Sequence, residues 1–194
     1  MRITGGSLKG RTVRVPEGGL EIRPAMDRMR ESVFAILGDL EGLSFLDLFA
    51  GSGIIGLEAA SRGADPVVCV EKDRSKFPIL LKNVSIAPRR IECHAMPVER
   101  FLLRNKQSFS MIFLDPPFPY EFRLELLTRL ADSPTLAEDG LLLIHHPRED
   151  RLPSEVGRLS LGDEREFGRS LVKFYRAGRP IRNLSEIEGK ISIE

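Results

Sequence analysis

The chain has 194 residues, enough for one domain with a sizeable core and hardly enough for two. Its 42% hydrophobic and 29% charged content is ordinary for a globular protein, and a net charge of +1 does not by itself indicate a polyanionic partner. No apolar run approaches the roughly 20 residues of a membrane span, and the first residues lack the apolar core of a secretory signal. We therefore predict a cytoplasmic protein that does not enter a membrane.

The first 30 residues form a basic arm, with seven Lys and Arg against three Asp and Glu. Glycine pairs interrupt it, Thr12–Val15 is typical of a strand, and Pro16–Gly19 is typical of a turn. A small β-hairpin or an extended arm fits this pattern. The clustered positive charge favours contact with a polyanion, although a solvated surface strip would show the same charge.

A helix is predicted from Pro24 to about Leu37. Proline suits the first turn, and apolar residues then recur at intervals of three and four until Gly38. We accordingly treat residues 1–38 as an N-terminal extension, a hairpin or arm followed by a helix, with RNA binding as its expected role.

From residue 39 onward, strand-like and helix-like segments alternate. The strand-like runs are almost continuously apolar, which is typical of a parallel sheet covered by helices on both faces. The predicted parallel strands are Ser44–Phe49, Pro66–Glu71, Arg90–His94, Phe109–Asp115 and Gly140–His145. The helices predicted between them are at about Gly53–Arg62, Ser75–Ile86, Val98–Asn105 and Glu121–Ala131.

The last third of the chain has a different pattern. Arg158–Glu166 and Ser170–Arg176 are typical of two strands joined in a hairpin. Five parallel strands followed by a terminal antiparallel hairpin predict a Rossmann-like α/β fold over residues 39–177. This is the mostly parallel, seven-stranded sheet of class I S-adenosylmethionine-dependent methyltransferases. Residues 178–194 are polar and are predicted to form a flexible tail.

A glycine-containing turn follows the first predicted strand. Phe49, Gly51 and Gly53 lie between this strand and a helix, where glycine lets a ligand approach the backbone and the helix N-terminus. Asp47 suits a cofactor that carries an amino group and a sulfonium better than it suits a pyrophosphate. Glu71 ends the next strand, where a carboxylate can hold a ribose diol. The pattern favours S-adenosylmethionine; an ordinary turn without a ligand is the alternative.

The segment Asp115-Pro116-Pro117-Phe118 ends the fourth predicted strand, at the edge where ligands of open α/β sheets bind. Two prolines fix φ and remove two backbone donors, so the turn offers the Asp115 carboxylate and the Pro116 carbonyl as acceptors. Such acceptors suit an exocyclic amino group, whose lone pair they would direct at an activated methyl group. Phe118 offers a surface on which a base can stack. The alternative is a proline-rich loop closed by a core aromatic.

Neither the cysteines nor the histidines predict a metal site. Cys69 and Cys93 lie in separate apolar runs, which is typical of buried thiols. His145 and His146 are adjacent in a strand, so their side chains point to opposite faces. We therefore expect no metal.

Considered together, these segments resemble the RsmD family of 16S ribosomal RNA guanine-N2 methyltransferases. The resemblance runs from Arg2 to about Arg176, nearly the whole chain. Its motifs are Arg2–Gly6, Lys9–Arg11, Arg23–Pro24 with Asp27–Glu31, Leu46–Gly53 with Gly56–Ala59, and Asp115–Phe118. The chain departs from the family pattern at Ala25, where Thr is usual. It departs again near His94, where Asn or Asp usually binds the adenine amino group.

The resemblance implies a site with three parts. The cofactor S-adenosylmethionine would contact Asp47, Phe49, Gly51, Gly53, Glu71, Lys72, Ala95, Met96 and Asp115. The catalytic residues holding the guanine would be Asp115, Pro116, Pro117 and Phe118. RNA phosphates would contact Arg2, Lys9, Arg11, Arg23, Arg28 and Arg30. The implied partner is 16S ribosomal RNA in a partly assembled small subunit, and we expect a monomer.

Two other hypotheses remain open. Methyltransferases acting on DNA adenine or on a protein amide share the Asp-Pro-Pro-Phe type of motif, although the DNA enzymes usually carry a sizeable target-recognition segment. A non-catalytic RNA-binding assembly factor could also keep the fold. Such a factor would be expected to lose the tetrapeptide, which is intact here.

Overall fold

The computed structural model describes residues 1–15 and 24–178. The turn predicted at Pro16–Gly19, the candidate RNA contact Arg23 and the tail beyond Gly178 lie outside these residues. The described helices are α1 (Pro24–Leu37), α2 (Ile54–Ser61), α3 (Phe77–Val84), α4 (Val98–Arg104) and α5 (Arg123–Ala131). The described strands are β1 (Phe45–Leu48), β2 (Val67–Glu71), β3 (Glu92–Ala95), β4 (Phe109–Leu114), β5 (Leu136–Pro147), β6 (Glu155–Val156), β7 (Leu159–Phe167) and β8 (Ser170–Ala177).

All these strands join one sheet in the order β3-β2-β1-β4-β5-β8-β7-β6. The first five run parallel, because a helix carries the chain back between each pair of successive strands. Strands β8, β7 and β6 extend the sheet in antiparallel fashion beyond β5. The predicted α/β class, with a terminal hairpin, is confirmed.

A hydrophobic core lies on each face of the sheet. Helices α1, α2 and α3 pack on one face, with Phe34 and Leu57 among the buried side chains. Helices α4 and α5 pack on the other, with Phe101 and Leu127 buried there. Because both faces are covered, the central strands β1 and β2 are buried along their whole length, which explains their continuously apolar sequences.

The sheet differs from the prediction in its strand count. Eight strands are described rather than seven, because Glu155–Val156 pairs with β7 as a two-residue edge strand. Two residues are too few to show a periodicity, so no sequence pattern could indicate this strand. Strand β5 also begins at Leu136, four residues before the predicted start, beyond an irregularity in its pairing with β4.

The N-terminal segment is folded against the domain. An antiparallel bridge joins Arg2 to Thr12, and the side chains of Ile3 and Val13 enter the core that contains α1 and α2. The backbone N–H of Thr4 donates to the carboxylate of Glu58 over 2.7 Å. The hairpin expected in this region therefore closes within residues 1–13 and is anchored on α2.

No helix in the described part of the chain has both the length and the apolarity needed to cross a membrane.

Helix α2 lies very close to β2, and Gly56 permits this approach. A Cβ added at Gly56 would lie 2.5 Å from Cys69 Sγ. We expect Gly56→Ala to destabilise the protein by roughly 1–3 kcal/mol through overpacking. In a Cys69→Ala background the cost should fall or reverse, because the sulfur is gone and Ala is about 1 kcal/mol better than Gly inside a helix. Urea unfolding of the four proteins measures this coupling, and equal costs in both backgrounds would contradict the contact.

Candidate active site

Two loops meet at the carboxyl edge of the sheet because their strands are neighbours. Strand β1 pairs in parallel with β4, and Leu48 lies opposite Leu114. The glycine loop (residues 49–53) follows β1, and the Asp-Pro-Pro-Phe loop (residues 115–118) follows β4. The backbone N–H of Asp115 donates to the Leu48 carbonyl over 3.4 Å. The predicted cofactor and catalytic segments therefore lie side by side.

The glycine loop turns sharply through left-handed backbone conformations. Phe49, Gly51 and Gly53 have φ of 73°, 54° and 79°. At Gly53 a Cβ would lie 2.5 Å from Leu80 Cδ1, so the loop packs directly on α3. A non-glycine residue with positive φ is uncommon and marks a conformation held by its surroundings, here by donation of the Phe49 and Ala50 N–H groups to the Val70 carbonyl.

Glu71 fixes the loop from the neighbouring strand. Its Oε2 accepts the backbone N–H of Gly51 and its Oε1 accepts that of Asp73, both over 2.7 Å. A carboxylate has about four acceptor positions, so these two bonds leave room for two further donors. The residue predicted to hold a ribose therefore has a fixed orientation beside the loop.

Asp47 lies beneath the loop, almost completely buried. Its Oδ2 accepts the backbone N–H of Gly56 over 3.1 Å, while its Oδ1 has no hydrogen-bond partner among the described residues. Burial raises the pKa of Asp47 well above its usual range, against the lowering effect of the Gly56 N–H; nearby Asp115 and Glu71 raise it further. This carboxyl supports the start of α2 and keeps one unpaired oxygen.

Asn83 connects the glycine loop to the N-terminal arm, a link that the sequence did not reveal. Its Nδ2 donates to the Ser52 carbonyl over 2.8 Å and to the Arg14 carbonyl over 2.9 Å. Its Oδ1 accepts the backbone N–H of Arg14 over 3.0 Å. A single buried amide thus holds the end of the arm against the loop.

In the second loop, Asp115 is partly accessible and Phe118 is exposed. The Asp115 side chain is 26% exposed, and its Oδ1 lies 2.8 Å from His145 Nδ1. Phe118 is 40% exposed, with its ring centroid 5.8 Å from that of His145. Pro116 is buried and Pro117 is exposed. The loop therefore presents a carboxylate oxygen and an aromatic face at the same edge.

The buried side chain of Arg123, at the start of α5, holds this loop from below. Its Nη2 donates to the Pro117 and Phe118 carbonyls, each over 2.9 Å, and its Nη1 contacts the Tyr120 carbonyl. Asp150 pairs with Nη1 over 2.7 Å. The Pro117 oxygen is therefore already bonded to Arg123 and is not a free acceptor for a ligand.

The remaining predicted cofactor residues follow β2 and β3 at the same edge. Glu71 lies opposite Ala95 in the pairing of these strands, so Lys72 and Met96 come next on each. Lys72 and Ala95 are exposed and Met96 is half-buried. His94 Nε2 lies 2.8 Å from Glu92 Oε1. The predicted cofactor residues thus lie at one edge of the sheet, in the glycine loop, beneath it or on the strands on either side of it.

The predicted RNA contacts divide into two groups. Arg2, Lys9, Arg11 and Arg28 are exposed. Arg30 is only 3% exposed, so it is not available to a phosphate, and its prediction as an RNA contact is wrong.

Arg30 instead bridges the arm to the core. Its Nε lies 3.2 Å from Glu58 Oε1, its Nη1 lies 3.0 Å from Asp27 Oδ1, and its Nη2 donates to the Arg2 carbonyl over 2.8 Å. The Glu58 carboxylate is fully buried, so its charge requires a buried cation as partner.

In the described part of the chain, no three His, Cys, Asp or Glu side chains are grouped as a metal would need. Cys69 and Cys93 are free thiols; Cys69 is buried as predicted, whereas Cys93 is only partly buried.

The sequence that carries the arm, the glycine loop and the Asp-Pro-Pro-Phe loop matches the model of a known family. The family model described as Conserved hypothetical protein 95 covers residues 1–176. The chain belongs to this family, the RsmD family.

Individual relatives agree with this assignment. Ribosomal RNA small subunit methyltransferase D of Escherichia coli (strain K12) is 33% identical over 181 residues, covering 91% of this chain and 89% of that protein. A candidate rRNA methyltransferase of Bacillus subtilis (strain 168), YlbH, is 34% identical over 182 residues, covering 91% and 98%. A solved Escherichia coli structure, the candidate methyltransferase yhhF, has a TM-score of 0.82 at 32% identity, covering 92% and 98%. The fold of this RsmD-family chain is that of the class I methyltransferases.

The role given to Arg123 can be tested by Arg123→Lys, which keeps the charge but loses the planar fork of donors. We expect a loss of about 2–3 kcal/mol in unfolding free energy and faster hydrogen exchange at the amides of Phe118 and of residues 120–122, because several carbonyls lose their partner. The matched control is Arg129→Lys, an exposed position on the same helix. If exchange in the loop is the same in both variants, Arg123 does not hold the loop.

Proposed function

We propose that the protein transfers a methyl group from S-adenosylmethionine to the N2 amino group of a guanine in 16S ribosomal RNA. The observation that carries this proposal is the adjacency of the glycine loop and Asp115, whose strands pair at Leu48 and Leu114. Residues 39–177 would form the methyltransferase domain and residues 1–38 an RNA-binding extension. The small-subunit substrate named for the Escherichia coli relative supports the choice of RNA.

Three features of the glycine loop and of the carboxyl groups next to it fit the proposed cofactor. Left-handed conformations at Phe49, Gly51 and Gly53 produce a sharp turn to which a ligand can come close. The buried Oδ1 of Asp47 has no hydrogen-bond partner among the described residues, and a cationic ligand nearby would favour ionisation of this carboxyl against the effect of burial, which raises its pKa. Glu71, with acceptor positions left, would hold the ribose hydroxyls. When bound, S-adenosylmethionine supplies an electrophilic methyl group on a sulfonium.

The Asp-Pro-Pro-Phe loop would hold the target base. With Oδ1 bonded to His145, Asp115 has Oδ2 left to accept one N–H of the amino group, and the Pro116 carbonyl would accept the other. These contacts favour a pyramidal nitrogen with its lone pair directed outward. Formation of the N–C bond would leave the electron pair of the broken C–S bond on sulfur, and Asp115 or water would take the proton that the nitrogen releases. Phe118 would stack on the base, which must be unpaired or flipped out.

The exposed cations of the arm would contact the RNA backbone. Arg2, Lys9, Arg11 and Arg28 are solvent-accessible, and Asn83 ties the neighbouring backbone of Arg14 to the glycine loop. The end of the arm is thus held at the glycine loop, and RNA bound to the exposed cations of the arm would extend from there to the crevice. Backbone contacts of this kind set the register of a nucleic acid while the target base enters the site.

The proposal predicts that Asp115→Ala abolishes methyl transfer while leaving S-adenosylmethionine affinity largely intact. Asp115→Asn keeps the shape but loses the charge, and should lower kcat by on the order of 10²–10³-fold. The measurement is labelled-methyl transfer to small ribosomal particles, and to naked 16S RNA, from cells lacking the endogenous enzyme.

The matched control is Asp139→Asn, an exposed residue toward the start of β5 and away from the crevice. Equal activity of native and Asp115 variants would reject the assigned role. Label found in DNA or in protein, or on a base other than guanine, would show that the proposed substrate is wrong. No transfer to any substrate by the native chain would favour a non-catalytic assembly factor.

A second prediction concerns the arm. Reversing charge in Arg11→Glu and Arg28→Glu should weaken RNA binding and flatten its salt dependence, because each lost phosphate contact reduces the slope of log K against log salt by about 0.7–0.9. The matched control is Lys106→Glu, an exposed residue just before the start of β4, at the opposite edge of the sheet. Equal salt slopes in all the variants would show that the arm does not contact the RNA.

A further inference from the structure

Asp115 is the accessible end of a buried chain of hydrogen bonds. His145 lies near the end of β5, with Nδ1 2.8 Å from Asp115 Oδ1 and Nε2 2.8 Å from Ser170 Oγ. Ser170 begins β8 and donates to the Phe167 carbonyl over 3.1 Å. The imidazole is 1% exposed, so water does not compete for either of its nitrogens.

We propose that His145 is a positioning residue, which holds the Asp115 carboxylate so that Oδ2 stays directed at the amino group to be methylated. This inference rests on the proposed function of Asp115. The contact follows from the sheet: Leu114 pairs with Ile144, so Asp115 and His145 are the next residues on adjacent parallel strands. The aspartate that ends β4 is therefore held by the strand beside it.

The proton arrangement supports this role. An ionised carboxylate can only accept, so His145 Nδ1 must carry the hydrogen of the bond to Asp115. Ser170 has one hydroxyl hydrogen. If Ser170 donates this hydrogen to the Phe167 carbonyl, its oxygen accepts Nε2–H from His145. If Ser170 donates it to His145 Nε2 instead, that nitrogen carries no hydrogen and the imidazole is neutral. In both arrangements, His145 Nδ1–H donates to Asp115 Oδ1, and Asp115 Oδ2 is the oxygen left for a substrate.

The same chain does not provide a route for a proton to solvent. Ser170 is nearly buried, and beyond it the chain ends at the Phe167 backbone carbonyl, which does not take up a proton. A shuttle would need a titratable group or water at that end. The geometry therefore favours orientation of Asp115 over proton transport.

The His145 ring also supports the stacking surface. Its centroid lies 5.8 Å from that of Phe118, with an angle of 58° between the planes, which is within the range of favourable aromatic pairs. One buried ring thus contacts both the acceptor and the aromatic face proposed for the target base.

Two substitutions separate the contacts of His145. Asn can place its amide nitrogen where Nδ1 lies and donate to Asp115, but it is too short to reach Ser170. Gln extends toward Ser170 and loses the donor to Asp115. We expect His145→Gln to lower kcat by on the order of 10²-fold with little change in the KM for S-adenosylmethionine, as for a small misplacement of a reacting group. His145→Asn should retain most of kcat.

The matched control is His146→Asn, a buried neighbour that contacts the Pro147 carbonyl and not Asp115. It should behave like the native protein. Equal kcat in His145→Gln and native protein, or equal losses in the Gln and Asn variants at matched thermal stability, would overturn the positioning role. Absence of methyl transfer by the native protein would instead reject the proposed function.

If His145→Gln does not fold, NMR of the His145 ring in the native protein tests the positioning role instead. The ¹⁵N shifts of the His145 ring report which nitrogen carries hydrogen. A protonated Nδ1 whose signal changes in Asp115→Asn supports the inference, and an unprotonated Nδ1 overturns it.

Discussion

The parallel pairing of β1 with β4 is the constraint on which the site depends. The two strands are far apart in sequence, yet Leu48 lies opposite Leu114, and the residues that follow them begin the glycine loop and the Asp-Pro-Pro-Phe loop. Helices leave these strands toward opposite faces of the sheet, since α2 packs in one core and α5 in the other. A crevice opens where neighbouring connections diverge in this way, at the carboxyl edge of an open sheet. The location of the crevice is therefore a property of strand order, and the loop residues determine its chemistry.

Both loops are held by buried polar side chains from other elements. Glu71 and Asn83 fix the glycine loop, whereas Arg123 and His145 fix the Asp-Pro-Pro-Phe loop. Each of these groups would be costly to bury alone, and each is bonded to the loop it supports. Acceptors and dipoles that are already oriented do not have to reorganise during a reaction, which is the main source of electrostatic stabilisation of a transition state. The polar contacts below the crevice thus determine its geometry as much as the groups that face it do.

The difference between what the sequence predicts and what it misses has a physical basis. The strands, the helices and both loops could be predicted, because apolar runs, glycines and prolines act over a few neighbouring residues. Arg28 and Arg30 are both basic residues of α1, and their sequence does not distinguish them. Arg30 is buried because it packs against Glu58. His145 could be assigned to a strand, but its contact with Asp115 depends on which strand lies beside β4. Strand β6 has two residues and therefore no pattern of its own. Contacts set by tertiary pairing have no local signal.

The arm and the glycine loop are joined through the same helix layer. Glu58, on α2, accepts from Thr4 and pairs with Arg30, while Asn83, on α3, bonds to both Arg14 and Ser52. Helix α2 itself begins at the end of the glycine loop. A displacement of the arm would therefore break bonds to a fully buried carboxylate and to a buried amide, and leaving such groups unpaired costs more than the bonds themselves contribute. Because of this cost, the backbone of the arm and the glycine loop keep a fixed relative position, which an RNA substrate bound across both would require.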